Sequence, residues 1–92
     1  MYNFNFQYNF SELDLTFLQE KYMITPKEII SVFTNLKKLT EVYEYKTSIF
    51  IGAGYSCKNR VILIAFVLTN DCDIQFIGAK LPDEPQLDEF YF

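Results

Sequence analysis

The sequence contains no histidine. Histidine is the commonest general base and a frequent metal ligand, so its absence excludes a serine hydrolase triad around Ser48 or Ser56 and removes the usual zinc ligand. The two cysteines, Cys57 and Cys72, have no second cysteine close in sequence, and they flank one predicted strand, too far apart for a disulfide. We therefore expect free thiols, no bound metal and no cofactor.

Glycines and long apolar runs are also scarce. The chain has three glycines, and the pair Gly52 and Gly54 lacks the third glycine and the following helix of a phosphate-binding loop, so it predicts a β-bulge instead. The longest apolar run, Val61 to Leu68, is far shorter than the roughly 20 residues that span a membrane. The first five residues carry no basic segment or cleavage site of a secretory signal. These features favour a cytoplasmic protein without a membrane segment.

Charge and aromatic content favour a protein partner over nucleic acid. The net charge is −4, whereas a general nucleic-acid binder is usually basic, so RNA is a disfavoured partner unless the charges form a local patch. Ten Phe and seven Tyr in 92 residues exceed what one small core easily buries. Part of the aromatic surface should therefore contact a protein partner or a second copy of the chain.

Hydrophobic periodicity predicts a single domain over residues 1–92. Aromatic and polar residues alternate over residues 2–8, which indicates a half-buried strand. A first helix should begin at the N-cap Ser11 and end near Tyr22 or Met23.

A second helix should begin at Thr25, where Pro26 at the first helical position and Glu28 complete a capping box. Its buried face should extend to Leu36. Asn35 is the expected terminator, because asparagine tolerates the left-handed conformation of a helix cap.

Strands are predicted after the helices, since the apolar period changes there from helical to alternating or continuous. Polar turns between the later strands indicate antiparallel hairpins. The predicted strands are Thr40–Lys46, Ser48–Tyr55, Arg60–Thr69 and Ile74–Lys80. The fold class is therefore α+β: an N-terminal strand, two helices, and an antiparallel meander of three to four strands with the helices on one face.

The C-terminal tail, residues 81–92, combines acidic residues with an aromatic end. A short docked helix within this tail is one expectation. Three aromatic residues are candidates for binding a partner: Phe90, Tyr91 and Phe92.

Positive charges are few, and their positions suggest a candidate RNA site. Lys58 and Arg60 precede the central strand and Lys80 ends the next one, so antiparallel pairing would bring Arg60 and Lys80 to the same end of the sheet. Such cations could hold phosphate. Further candidates expected nearby are Lys46 for phosphate, and Tyr43 and Tyr45 to stack on a base or donate a proton. The alternative is that these are ordinary turn and edge charges that keep the sheet soluble.

Several segments, from the first helix to the last strand, follow the order and residue pattern of a known family. They are Ser11 as a helix cap, Lys21–Ile24, Thr25–Phe33, Gly54–Ile62 and Ile74–Lys80. Over roughly Phe6 to Lys80 the chain thus resembles the BrnT-type toxins of bacterial type II toxin–antitoxin pairs. The resemblance implies a small ribonuclease that is neutralised by a cognate antitoxin.

Polar positions of that family carry other residues in this chain. Tyr22 replaces a histidine, Ser48 and Ile49 replace a Glu-Arg pair, and Gln75 replaces an arginine. RNA cleavage without a metal needs cations that stabilise the developing charge. We therefore expect a BrnT-like protein that acts by association with an antitoxin-like protein or with itself, its ribonuclease activity weak or lost. The alternative is an active metal-independent ribonuclease with a rebuilt basic site.

Overall fold

The computed structural model describes residues 6–69 and 72–83. In chain order, its elements are β1 (Gln7–Asn9), α1 (Leu15–Tyr22), α2 (Pro26–Phe33), β2 (Leu36–Glu44), β3 (Thr47–Tyr55), β4 (Val61–Leu68) and β5 (Asp73–Lys80). The strands form one sheet in the order β1-β5-β4-β3-β2. Strands β2 to β5 are an antiparallel meander, and β1 pairs in parallel with β5. The predicted α+β fold is confirmed, with four strands in the meander.

The core lies between the two helices and one face of the sheet. Leu18 of α1 and Ile29 of α2 pack with Ile64 and Phe76 of the central strands, and all four side chains are buried. Burying large apolar side chains between two layers is the main source of stability for such a domain. The opposite face of the sheet carries no helix in the part of the chain that the structure describes, and we call it the open face.

Helix α1 begins later than its sequence predicts. Its N-cap is Asp14, whose Oδ1 accepts a hydrogen bond from the Phe17 amide at 3.0 Å. The predicted cap, Ser11, instead lies in a turn in which the Leu13 amide donates to the Phe10 carbonyl at 3.0 Å. Aspartate and serine cap helices about equally well, so the position of this turn decides between them. The predicted end is confirmed.

Helix α2 begins as predicted, with Thr25 as N-cap and proline at the first position. It ends earlier than expected, at Phe33, and its C-cap Thr34 has right-handed geometry. Asn35 is therefore not a left-handed terminator, and Leu36 belongs to β2 rather than to the helix. Pairing with β3 overrides the helical apolar spacing of Leu36, because a strand partner satisfies its backbone groups.

The predicted bulge lies opposite the glycines rather than in their own strand. Strand β3 pairs with β4 in unbroken register, whereas its ladder with β2 is irregular between Leu36 and Lys38, whose partners are Gly54 and Ala53. The glycines also permit close approach: a Cβ on Gly54 would lie 2.6 Å from the Asn35 carbonyl oxygen. Strand β2 ends at Glu44 rather than at residue 46, since the next two residues form a turn with positive φ.

Two further predictions, the free cysteines and the shared side of aromatic residues near the N-terminus, are confirmed within the described residues. Both cysteines are free. Phe6, which directly precedes β1, and Tyr8 within it lie on the same side, since both rings contact Phe33. No described helix is long and apolar enough to cross a membrane. The predictions for Tyr2 and Phe4 of the first strand, and those for 84–92 with Phe90, Tyr91 and Phe92, fall outside the described residues.

Candidate functional site

The structure places Arg60 and Lys80 at the same end of the sheet, as predicted, but on opposite faces. Lys80 pairs with Leu63 across β4 and β5. Neighbouring side chains of a strand alternate between faces, and Ile62 and Ile64 point into the core, so Leu63 and Lys80 lie on the open face. Arg60, in contrast, turns toward the helices and contacts α2. The two cations share one end of the sheet but lie on opposite faces.

The predicted tyrosines lie at the other end of the sheet. Tyr45 and Lys46 form the turn between β2 and β3, and Tyr43 stands two residues before it; Tyr45 is 97% exposed and Tyr43 68% exposed. Strand β3 separates this turn from the Lys58–Arg60 end by about 25 Å, at ~3.3 Å per residue. The expected convergence of Lys46 and the tyrosines with Arg60 and Lys80 is therefore wrong.

Arg60 binds a buried carboxylate. Its Nε donates a hydrogen bond to Glu28 Oε2 and its Nη2 donates one to Glu28 Oε1, each at 2.7 Å. Together they form a bidentate ion pair. The Glu28 side chain is completely buried, whereas that of Arg60 is 29% exposed. A guanidinium fixed in this geometry has its planar donors directed at one anion. Arg60 therefore acts first as the counter-ion of Glu28.

Further hydrogen bonds complete this cluster, which we call the Glu28 cluster: Glu28, Ser56, Lys58 and Arg60. Ser56 Oγ donates to Glu28 Oε2 at 2.7 Å, and the Lys58 ammonium lies 3.8 Å from Oε1. Lys58 and Arg60 also donate to the carbonyl oxygen of Met23, the left-handed cap of α1, at 3.0 and 3.1 Å. The β3–β4 turn is thereby bonded to the end of α1 and the start of α2.

The electrostatics of the cluster favour ionised Glu28. Burial alone would raise the pKa of the carboxyl group, but hydrogen bonds from Arg60 and Ser56 and the charges of Arg60 and Lys58 outweigh it and hold the pKa below its ordinary value. The hydrogen bond to Glu28 likewise raises the pKa of Arg60, against the effect of burial. A carboxylate so stabilised is a poor proton acceptor near neutral pH, so the cluster holds structure rather than transferring protons.

Because of the Glu28 cluster, we expect the free energy of unfolding to fall in acid. Native Glu28 keeps its charge at a pH where the unfolded chain, with an ordinary glutamate pKa of about 4.3, already binds a proton. The stabilisation is complete above that pH and is lost as pH falls through the lower native pKa. Urea unfolding at about pH 6 and about pH 3 would measure it.

The matched control for this acid experiment is the double variant Glu28→Met, Arg60→Met, which removes the titrating group with its partner. Because other carboxylates also titrate, the informative quantity is the difference between the two proteins. We expect a steeper acid loss in the unmodified chain. Equal losses would contradict the inferred pKa of Glu28.

Sequence reasoning assigns Glu28 only to a helix cap and misses its role as the buried anion. The sequence does contain a signal for this role. Glu28 lies one residue before Ile29 and four before Val32, both of which are fully buried, so the buried face of the helix includes a charged residue. A buried charge requires a partner. Its identity, Arg60, lies 32 residues away in sequence, beyond the reach of any local pattern.

The described residues contain no group of three or more acidic, cysteine or histidine side chains that could hold a metal ion. A scan against protein-family models finds no match for this chain, and a search of the curated proteins finds no relative.

Proposed function

We propose that this chain is a BrnT-like, toxin-fold protein that acts by binding a protein partner and has weak or no ribonuclease activity. The observation that carries the proposal is the commitment of Arg60 to Glu28, through two hydrogen bonds of 2.7 Å. A ribonuclease without a metal needs cations free to stabilise charge on phosphate. The cation best placed for that task already neutralises a buried anion.

The distribution of the other candidates supports the same proposal. The Lys58 ammonium donates a hydrogen bond to the Met23 carbonyl oxygen and forms an ion pair with Glu28. Lys80 lies on the open face. Lys46 and the tyrosines occupy the far end of the sheet. Binding of a phosphodiester with a stacked base requires cations beside an aromatic ring. Arg60 and Lys80 have no candidate tyrosine at their end of the sheet, and of the candidate cations Lys46 alone lies beside the tyrosines.

An apolar groove on the helix side of the sheet supports binding to a protein. It encloses about 260 Å³ beside α2 and is lined only by apolar residues: Phe6, Phe33, Leu36, Leu39, Phe50, Phe66, Leu68 and Ile74. Leu39 and Leu68 remain 54% and 49% exposed. Because the lining carries no charge, its complement is an apolar side chain of a partner. The resemblance to toxins makes an antitoxin-like protein the expected partner.

An RNA assay tests the loss of ribonuclease activity. Purified protein is incubated with total cellular RNA in low-salt buffer, beside a Lys46→Ala, Lys58→Ala, Lys80→Ala variant. Arg60 is left intact, since its removal would unpair Glu28. We expect intact RNA with both proteins and no salt-dependent binding. Cleavage by the unmodified chain that the variant loses would overturn the proposal and favour the active ribonuclease.

A binding assay tests the groove. The chain is co-expressed with the product of the adjacent gene and purified through a tag on that product. Leu68→Asp should abolish co-purification, because it places a charge in the apolar groove. Ile51→Asp is the matched control, since Ile51 is a comparably exposed strand residue, at 43%, on the open face. Equal retention of both variants would contradict binding at the groove.

A further inference from the structure

Strand β2 forms a long edge of the sheet. It spans nine residues, Leu36–Glu44, and the sheet order places it at one end, whereas β1 at the other end has only three residues. Within residues 6–69 and 72–83, β2 pairs with β3 alone. A long edge strand offers a row of backbone donors and acceptors for pairing with another strand. Natural proteins shorten, cover, bulge or charge such an edge, and β2 has an irregularity and two lysines only at its start, so its remaining length calls for an explanation.

The turn fixes which backbone groups face outward. Tyr45 and Lys46 have φ values of 49° and 63° and join Glu44 to its partner Thr47 as a two-residue hairpin turn. Such a turn closes on a hydrogen-bonded pair, and pairs then alternate along the ladder. Even-numbered residues of this stretch therefore bond β3. The amides and carbonyls of Leu39, Glu41 and Tyr43 point to the outer edge.

We propose that β2 pairs antiparallel with β2 of a second copy of the chain, about a two-fold axis at Glu41. Glu41 then faces its own counterpart, and Leu39 of each copy faces Tyr43 of the other. These are the residues with outward backbone groups, so the pairing forms a continuous ladder across two sheets. It does not depend on the heterologous partner proposed above. Leu39, which also lines the apolar groove, lies where the two surfaces meet.

Side-chain chemistry selects this register. Leu39 and Tyr43 are 54% and 68% exposed on the helix side of the sheet, and their cross-strand contact would cover both. On the open face, Thr40 faces Val42 and Lys38 faces Glu44, so opposite charges are juxtaposed. A shift of the pairing by two residues in either direction loses the Leu39–Tyr43 contact and places Leu39 opposite Glu41 or Tyr45.

The order of charges favours a second copy over open-ended stacking. Lysines precede glutamates along the strand, so antiparallel pairing about Glu41 places Lys38 opposite Glu44 and leaves Glu41 opposite its own counterpart. Parallel pairing in register would instead place every charge opposite its like. In the two-fold arrangement, the β2 edges of both copies are paired with each other, so no β2 edge remains to bind a third copy. One strand pair is a small interface, so the dimer should form at micromolar or higher concentration and dissociate on dilution.

Cysteine cross-linking tests the register. In a Cys57→Ser, Cys72→Ser background, Glu41→Cys should form an intermolecular disulfide on mild oxidation, since the Cα atoms of a hydrogen-bonded pair lie about 5.5 Å apart, within disulfide range. Thr40→Cys and Val42→Cys are matched controls. Each faces a different residue of the second copy, and its own counterpart lies roughly 8 Å away, too far for a disulfide.

Sedimentation of Glu41→Gln tests the same axis without a cross-link. The register places two carboxylates opposite each other, and removing that repulsion should tighten the dimer about two- to fivefold. Ser48 Oγ donates to Glu41 within each copy, and a glutamine oxygen can still accept this bond. Cross-linking at position 41 with tighter Glu41→Gln association supports the proposal. Cross-linking at position 40 or 42 instead, or a monomer at all concentrations, overturns it.

Discussion

Arg60→Ala is expected to lower the free energy of unfolding by about 3 kcal/mol. Removing one partner of a buried ion pair leaves the other charge unpaired in a low-dielectric site, which costs roughly 3–5 kcal/mol in comparable proteins. We expect the lower end of that range, because the Lys58 ammonium still lies 3.8 Å from Glu28 Oε1 and because loss of the 29% exposed Arg60 side chain lets water approach the carboxylate. Urea unfolding at neutral pH measures the change.

The control for this first prediction is the double variant Glu28→Met, Arg60→Met. Replacing both partners by apolar side chains removes the unpaired charge, so this variant should recover most of the lost stability. If Arg60→Ala and the double variant lose the same amount, the cost lies in packing rather than in the buried charge. A loss below about 1 kcal/mol for Arg60→Ala would instead place the pair among ordinary surface ion pairs.

Gly54→Ala is expected to destabilise the fold by about 2–3 kcal/mol. The added Cβ would lie 2.6 Å from the Asn35 carbonyl oxygen and 3.3 Å from the Leu36 Cα. These are backbone atoms at the start of β2 and cannot rotate away, so the strands must separate, and overpacking of this kind usually costs 1–3 kcal/mol. Thermal or urea unfolding measures the loss.

Gly78→Ala is the matched control for Gly54→Ala. Gly78 also lies in a strand with ordinary backbone angles, but its added Cβ would make a normal contact, 3.6 Å from the Ala65 Cβ. Alanine also restricts the unfolded chain, so Gly78→Ala should be neutral or slightly stabilising. Similar losses in the two variants would show that strand glycines matter here for a general backbone reason and not for close approach.

Local signals predicted the parts of the fold that local interactions decide. The start of α2 was predictable because Thr25 and Pro26 act on backbone groups within one turn. The start of α1 was not, because Ser11 and Asp14 are comparable caps and the turn beginning at Phe10 selects the second. The resemblance to the toxin family, and the function it implies, stay predictions.

Strand β2 shows where local reasoning ends. Leu36 continues the apolar spacing of α2, yet it begins a strand because Gly54 of β3 pairs with it. The glycines of β3 carried a real signal, because Gly54 permits the close approach of Asn35 and the irregularity of the ladder lies opposite it, in β2. Neither outcome can be read from one segment, since each depends on the strand beside it.

The amino-acid sequence by itself determined the α+β class, the order of the elements, the antiparallel meander and the free cysteines. These follow from periodicity, capping and turn chemistry, which act over a few neighbouring residues. Only the tertiary structure decided that β1 is parallel to β5, that Arg60 binds Glu28, and that Lys80 and the exposed tyrosines lie elsewhere. The reason is that a charged side chain takes its partner from whatever the fold brings within hydrogen-bond distance, and Glu28 and Arg60 meet across 32 residues of chain.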